Sequence, residues 1–398
     1  MGNWRPMTTC TWLTTLVTMV IFIMLCDCHV DPECHMTTPQ IIEYYGHKVE
    51  THNVTTEDGY ILTIHRIIQK TAAQKGVVFL QHGLLDSSAT WVMNTYNNSL
   101  GFVLAQAGYD VWLGNVRGNY YSQKHTTLTT KDPEYWNFSF EEHAKYDLPA
   151  MLEYVLKNSW HHGLLSYVGH SQGTLMALIE FSRNKELAGK INLFTALAPV
   201  GRINKAVGAF ILLSDILPEI LAITDKLGIY DFAPLTPVVS EFGILLCPLI
   251  PSICSEVFFV IAGPDEYLNS TRVPVYGSHA PAGTSMKNIL HWDQIYQAKQ
   301  PQMWDYGSAA ENLAHYNKTK PPVYQYTGLQ VPTIFFSGGN DYLGDPEDVL
   351  WLIGQLQAGV LKHSYTYDGY AHLSCLWALN AREWVFDKII QHLNGVWQ

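Results

Sequence analysis

Residues 166–177 read SYVGHSQGTLMA, an apolar run broken by two glycines with a histidine, a serine and a glutamine between them. The strand-like LLSYV leads in, and QGTLMALIEFSRNKEL follows with apolar residues at helical spacing. A strand that turns at once into a helix needs clearance, which Gly169 and Gly173 supply by lacking a Cβ. Ser171 sits at the apex. A serine held there in strained backbone projects its hydroxyl above the sheet, the arrangement of a nucleophile elbow.

A serine hydroxyl is a weak nucleophile until a base takes its proton, so an acid and then a histidine should follow in the chain. After the apolar run VPTIFFS comes GGNDYLGDPEDV, with four candidate acids: Asp341, Asp345, Glu347 and Asp348. Asp341 lies closest to the strand end, while the other three suit the polar start of the helix in EDVLWLIGQL. Three histidines follow. His363 opens the next strand and His392 falls in the terminal amphipathic helix, whereas His372, in YDGYAHLSCLW, occupies the loop past the last strand. Ser171, Asp341 and His372 are therefore expected to serve as nucleophile, orienting acid and general base. The tetrahedral intermediate needs backbone donors. One is expected from the Gln172 N–H at the helix start, the other from the Leu84 N–H in the loop after GVVFLQHG.

Around these motifs, short apolar runs alternate with longer helical segments, the pattern of a mostly parallel sheet covered on both faces. The expected strands are GYILTIHRI, GVVFLQHG, YDVWLGNV, LLSYVGHS, INLFTALAP, VPTIFFSGG and KHSYTYDGY, and EEHAKYDLPAMLEYVLKN reads as a helix. From about Gly201 to Lys320 the alternation fails and long, very apolar helical stretches replace it. Such an insertion suits either a lid over a site or an extra helical layer.

The remaining sequence bounds the compartment and the partners. A net charge of −11 without a basic patch argues against nucleic acid. One arginine and an apolar stretch from Thr11 to Cys26 form the layout of a secretory signal peptide over residues 1–28, too short and threonine-diluted for a stable membrane span. Five N-x-[ST] sites, at Asn53, Asn97, Asn137, Asn269 and Asn317, agree with that route. Cys10, Cys26 and Cys28 fall in the leader. Cys247 and Cys254, in CPLIPSIC, could close a small loop, and Cys34 and Cys375 look unpaired. No zinc-type spacing occurs in the sequence, and no metal or cofactor is expected.

With these residues in place, the chain resembles the acid lipase family of gastric, lingual and lysosomal lipases and their insect relatives. The likeness runs from about Thr38 to the C-terminus, through FLQHGLLDSSATWV, DVWLGNVRGNYYSQKH, GHSQGT, SHAPAGTSMKNILHWDQ and FFSGGNDYLGDPEDV. It implies an α/β-hydrolase fold with core segments over 29–200 and 321–398 and a helical cap or lid over 201–320. It places the triad on Ser171, Asp341 and His372, the oxyanion donors on Leu84 and Gln172, and a cap disulfide on Cys247 and Cys254. The implied activity is a secreted or lysosomal serine lipase acting on triacylglycerols, cholesteryl esters or both at a lipid–water interface. Two other readings remain: an esterase for short soluble esters, and a non-catalytic lipid carrier on the same fold. Two departures stand out. The family usually reads His-Leu-Asp after its base where this chain has His372-Leu373-Ser374, and His143 stands where an apolar residue is expected.

Overall fold

The computed structural model describes residues 31–68, 75–159, 163–236 and 251–397. The leader and Cys247 lie outside them, as does the side chain of Cys254, so the signal peptide and the disulfide are not addressed by the structure.

Among the described residues eleven strands form: β1 (Lys48–Thr55), β2 (Tyr60–Ile68), β3 (Val77–Gln81), β4 (Asp110–Leu113), β5 (Lys124–His125), β6 (Leu165–His170), β7 (Ile191–Leu197), β8 (Asp231–Phe232), β9 (Thr284–Ser285), β10 (Thr333–Gly338) and β11 (Leu361–Tyr367). The main sheet runs β1-β2-β4-β3-β6-β7-β10-β11, with β5 joined to β2, while β8 and β9 pair separately. Along the main sheet the pairings β4-β3-β6-β7-β10-β11 are all parallel, whereas β1–β2, β2–β4, β2–β5 and the separate β8–β9 pair are antiparallel. β3, β4, β6 and β10 are buried along their whole length. Their sequences are accordingly near-continuous apolar runs, because helices cover both faces. Val77, Phe79, Tyr167 and Phe194 pack into one core layer, and Val78, Leu80, Val168 and Ile334 into the other.

All seven expected strands form. β1 was not among them: an edge strand with exposed and half-exposed residues at most positions, KVETHNVT carries little apolar signal. EEHAKYDLPAMLEYVLKN is also not one uniform helix. A helical turn at Phe140–Glu142 passes into a π-helical stretch, His143–Asp147, before the α-helix Leu148–Asn158. Pro149 has no N–H with which to continue a regular ladder through that junction. Similarly, the helix after the elbow ends at Arg183, where the Asn184 side chain accepts from the Leu187 N–H and starts a separate short helix.

Between β7 and β10 the chain is largely helical, with helices Ala209–Leu227, Pro251–Ala262, Val273–His279, Met286–Ala298 and Ala309–Tyr316. The small β8–β9 pair within this insertion had no sequence signal that two-residue strands could give.

Candidate active site

Ser171 follows β6 at φ 52° and ψ −120°, in the left-handed region that side chains rarely adopt. Neighbouring bonds hold it there. Its N–H donates to the Leu197 carbonyl at 3.1 Å, and its carbonyl accepts from the Thr174 hydroxyl at 2.6 Å. The two glycines serve close approach. A Cβ on Gly169 would lie 2.8 Å from the Gly173 carbonyl carbon, and one on Gly173 would lie 2.6 Å from the Gln81 oxygen. Strand, turn and helix thus meet backbone to backbone, and within this turn the strain falls on the serine.

The Ser171 hydroxyl lies 2.7 Å from His372 Nε2, and His372 Nδ1 lies 2.9 Å from each carboxylate oxygen of Asp341. Since Nδ1–H must donate to the carboxylate, Nε2 is the ring nitrogen left to accept the serine proton. Asp341 is itself fixed: one of its oxygens accepts from the Leu343 and Gly344 N–H groups at 2.9 and 2.7 Å. All three side chains are buried, at the C-terminal ends of β6, β10 and β11. That is the edge of a parallel sheet where loops converge and ligands bind.

The competing candidates lie elsewhere. Asp345 caps its helix by accepting from the Glu347 N–H at 2.8 Å, Asp348 pairs with Arg202 at 2.6 Å, and Glu347 pairs with Lys205. His363 stacks on Tyr365, and His392 bonds the Tyr365 hydroxyl.

The loop after β3 passes directly beside the serine, so that a Cβ on Gly83 would come within 2.9 Å of the Ser171 Cβ. Leu84 lines the same cavity as Ser171. Among the described residues, neither the Leu84 nor the Gln172 N–H is spent in a turn or loop hydrogen bond. His82 braces this loop by donating from Nδ1 to the Gly83 carbonyl at 2.8 Å while Nε2 accepts from the Val116 N–H at 3.3 Å. Burial lowers His82 to about 4 and His170 to about 3, so both rings beside the site are neutral.

The Gln172 side chain is clamped from three directions. Its Oε1 accepts from Asn288 Nδ2 at 3.0 Å and Trp292 Nε1 at 2.8 Å, and its amide donates to His143 Nδ1 at 3.2 Å. His143 is fully buried, and burial pushes its pKa well down. Sequence reasoning missed this clamp. A usable signal existed, since Asn288 and Trp292 in SMKNILHWDQ are four apart and share a helix face.

A cavity of about 530 Å³ opens over Ser171 and His372. The insertion contributes Phe210, Val257, Ile261 and Trp292 to a predominantly apolar wall. Asp86 stands out in that lining: burial raises it from 3.8 to about 7, opposed only by the Ser87 N–H and the Thr90 hydroxyl among the described residues.

Among the sequons, Asn53, Asn97, Asn137 and Asn317 are exposed. Asn269 is not. It is 3% exposed, its amide donates to Asn94 and its oxygen accepts from Thr271, so the folded chain offers no acceptor there. Cys34 and Cys375 are unpaired and buried. No helix of the described residues is long and apolar enough to cross a membrane.

Residues 38–95 match the family described as the partial α/β-hydrolase lipase region, and residues 76–221 match the α/β hydrolase fold. The lysosomal acid lipase/cholesteryl ester hydrolase of Homo sapiens is 43% identical over 369 residues, covering 91% of each chain. The gastric triacylglycerol lipase of Bos taurus is 40% identical over 371 residues, covering 90% of this chain and 91% of the relative. Among solved structures, a soluble variant of monoglyceride lipase from Saccharomyces cerevisiae superposes with a TM-score of 0.53 at 15% identity. It covers 88% of this chain and 98% of its own, a likeness of fold alone.

Proposed function

We propose, from the premise that this chain belongs to the acid lipase family of α/β-hydrolases, that it is a serine lipase of the secretory pathway, secreted or lysosomal. Its substrates on this reading are neutral lipid esters, triacylglycerols or cholesteryl esters. What carries the reading is the unbroken bond sequence from Asp341 through His372 to Ser171 at the floor of a mostly apolar cavity.

Ser171 Oγ attacks the ester carbonyl as its proton passes to His372 Nε2, and Asp341 keeps the imidazole in the right tautomer and steadies the imidazolium. The Leu84 and Gln172 N–H groups receive the developing oxyanion. Collapse expels the alcohol, which takes the proton from His372. Water, deprotonated by His372, then attacks the acyl-enzyme and releases the fatty acid. No metal or cofactor enters these steps.

The insertion serves as a cap in this reading. Val257 and Ile261 line the cavity and are also exposed, as are Val260 of the same helix and Ile216, Ile223 and Leu227 of Ala209–Leu227. Exposed apolar side chains on the insertion, reaching the cavity at Val257 and Ile261, suit docking at a lipid–water interface, because each buried methylene contributes about 0.8 kcal/mol.

The deciding experiment follows fatty-acid release from emulsified triolein and cholesteryl oleate, with a soluble short-chain ester as comparison, for wild type and Ser171→Ala. Release from the emulsions by wild type alone is expected. Turnover confined to the soluble ester would make the protein an esterase, and no Ser171-dependent turnover on any ester would leave the carrier reading.

A further inference from the structure

The loop that carries His372 is attached to the insertion along a continuous seam. The Ala262 carbonyl, at the end of the Pro251–Ala262 helix, accepts from the His372 N–H at 3.1 Å and from the Tyr342 N–H at 3.3 Å. One carbonyl of the insertion therefore holds both the loop of the base and the loop of the acid. Beyond it, residues 265–269 run beside 374–379. Tyr267 O accepts from the Leu379 N–H at 2.7 Å, the Asn269 N–H donates to Trp377 O at 3.0 Å, and Leu268 and Ala378 form an antiparallel bridge.

Ser374 sits between the base and this seam, at the position where the sequence departs from His-Leu-Asp. Its hydroxyl accepts from the Ala371 N–H at 2.7 Å and donates to Asp265 Oδ2, also at 2.7 Å. The other Asp265 oxygen accepts from the Tyr267 N–H at 2.9 Å. Ser374 is fully buried, and burial raises the Asp265 carboxyl above its ordinary value. A hydroxyl can donate and accept at once. A carboxylate at position 374 could only accept, and would face Asp265 with like charge.

We propose that Asp265 and Ser374 form a positioning pair that sets His372 over Ser171, so that the insertion takes part in holding the base as well as in walling the cavity. The pair touches neither substrate nor reacting atoms; it acts through the backbone of residues 371–374. This rests on the assignment of His372 as general base, and displacement of a base by a fraction of an ångström is enough to cost rate.

The test is a double-mutant cycle of Ser374→Ala and Asp265→Ala, with Ser374→Thr and Asp265→Asn as conservative partners. kcat and KM are measured on a soluble short-chain ester beside wild type and Ser171→Ala, and folded fraction is checked by thermal unfolding. Each alanine variant is expected to lower kcat about tenfold with KM within about twofold, since the cavity wall is untouched. The double variant should be no slower than the worse single one, as expected of two residues acting as a unit. Threonine at 374 keeps the hydroxyl-to-oxygen bond and should restore most of kcat, whereas asparagine at 265, with one oxygen for the two donors Ser374 O–H and Tyr267 N–H, should restore only part of it. Should the alanine variants fail to fold, these conservative variants are compared with Ser374→Val, which fills the same space without the bond and should lower kcat as alanine does. Unchanged kcat in folded Ser374→Ala or Ser374→Val, or multiplicative losses in the cycle, would overturn the pair. Equal rates for wild type and Ser171→Ala would instead refute the underlying assignment of a serine hydrolase.

Discussion

Replacing Asp86 with asparagine isolates the effect of one buried carboxyl on the pH range of the protein. Asp86 lies two residues past Leu84 in the cavity wall, is raised by burial from 3.8 to about 7, and accepts from the Ser87 N–H at 2.7 Å. Because its pKa is raised on folding, the folded state binds the proton more tightly than the unfolded one. Its contribution is then fully present below about pH 4 and is lost as pH rises through about 7. The interval corresponds to about 4 kcal/mol at most. Asparagine has nearly the same shape, keeps an oxygen for the Ser87 N–H and never ionises. Thermal unfolding of wild type and Asp86→Asn at pH 4, 5.5, 7 and 8 should give nearly equal Tm values at pH 4. The variant should then gain steadily up to pH 8, ending several degrees higher. Activity should follow the same direction: above about pH 7 the wild-type carboxylate places a negative charge near the developing oxyanion, so its kcat/KM should fall relative to the variant. A constant Tm difference at all four pH values would refute the argument that Asp86 is protonated at acid pH and ionises within the folded wall.

Three further outcomes follow from the geometry. His372→Ala and Asp341→Asn should lower kcat by about 10⁴-fold or more with little change in KM, read by steady-state kinetics on a soluble ester. Gly173→Ala, whose Cβ would lie 2.6 Å from a backbone oxygen, should lower Tm and abolish turnover together, because neither strand nor helix can yield without moving Ser171. Asn288→Ala removes a 3.0 Å bond to the Gln172 side chain and the acceptor of the Phe140 N–H at 2.8 Å. It should cost about 1–3 kcal/mol in thermal or denaturant unfolding and lower kcat more than it raises KM.

The grouping of Ser171, Asp341 and His372 and the parallel core were legible because each rests on local chemistry. A serine between two glycines, an acid at a strand end and a histidine in the next loop are readable without knowing what surrounds them. Continuous apolar runs announce strands buried on both faces, whereas β1, at the edge, sends no such signal. What only the folded chain decided are pairings across long separations. Gln172 and Trp292, Ser374 and Asp265, and Arg117 with Asp58 and Asp147 each join residues whose types permit many partners. Burial is likewise a tertiary property: the sequon at Asn269 reads like the other four, yet packing against Asn94 hides it. Asp86 shows the same division, since its identity is local but its raised pKa comes from burial in the folded chain. Sequence therefore determined which groups could perform the chemistry, and tertiary structure decided which neighbours hold and tune them, because side-chain contacts and desolvation depend on what the rest of the chain brings alongside.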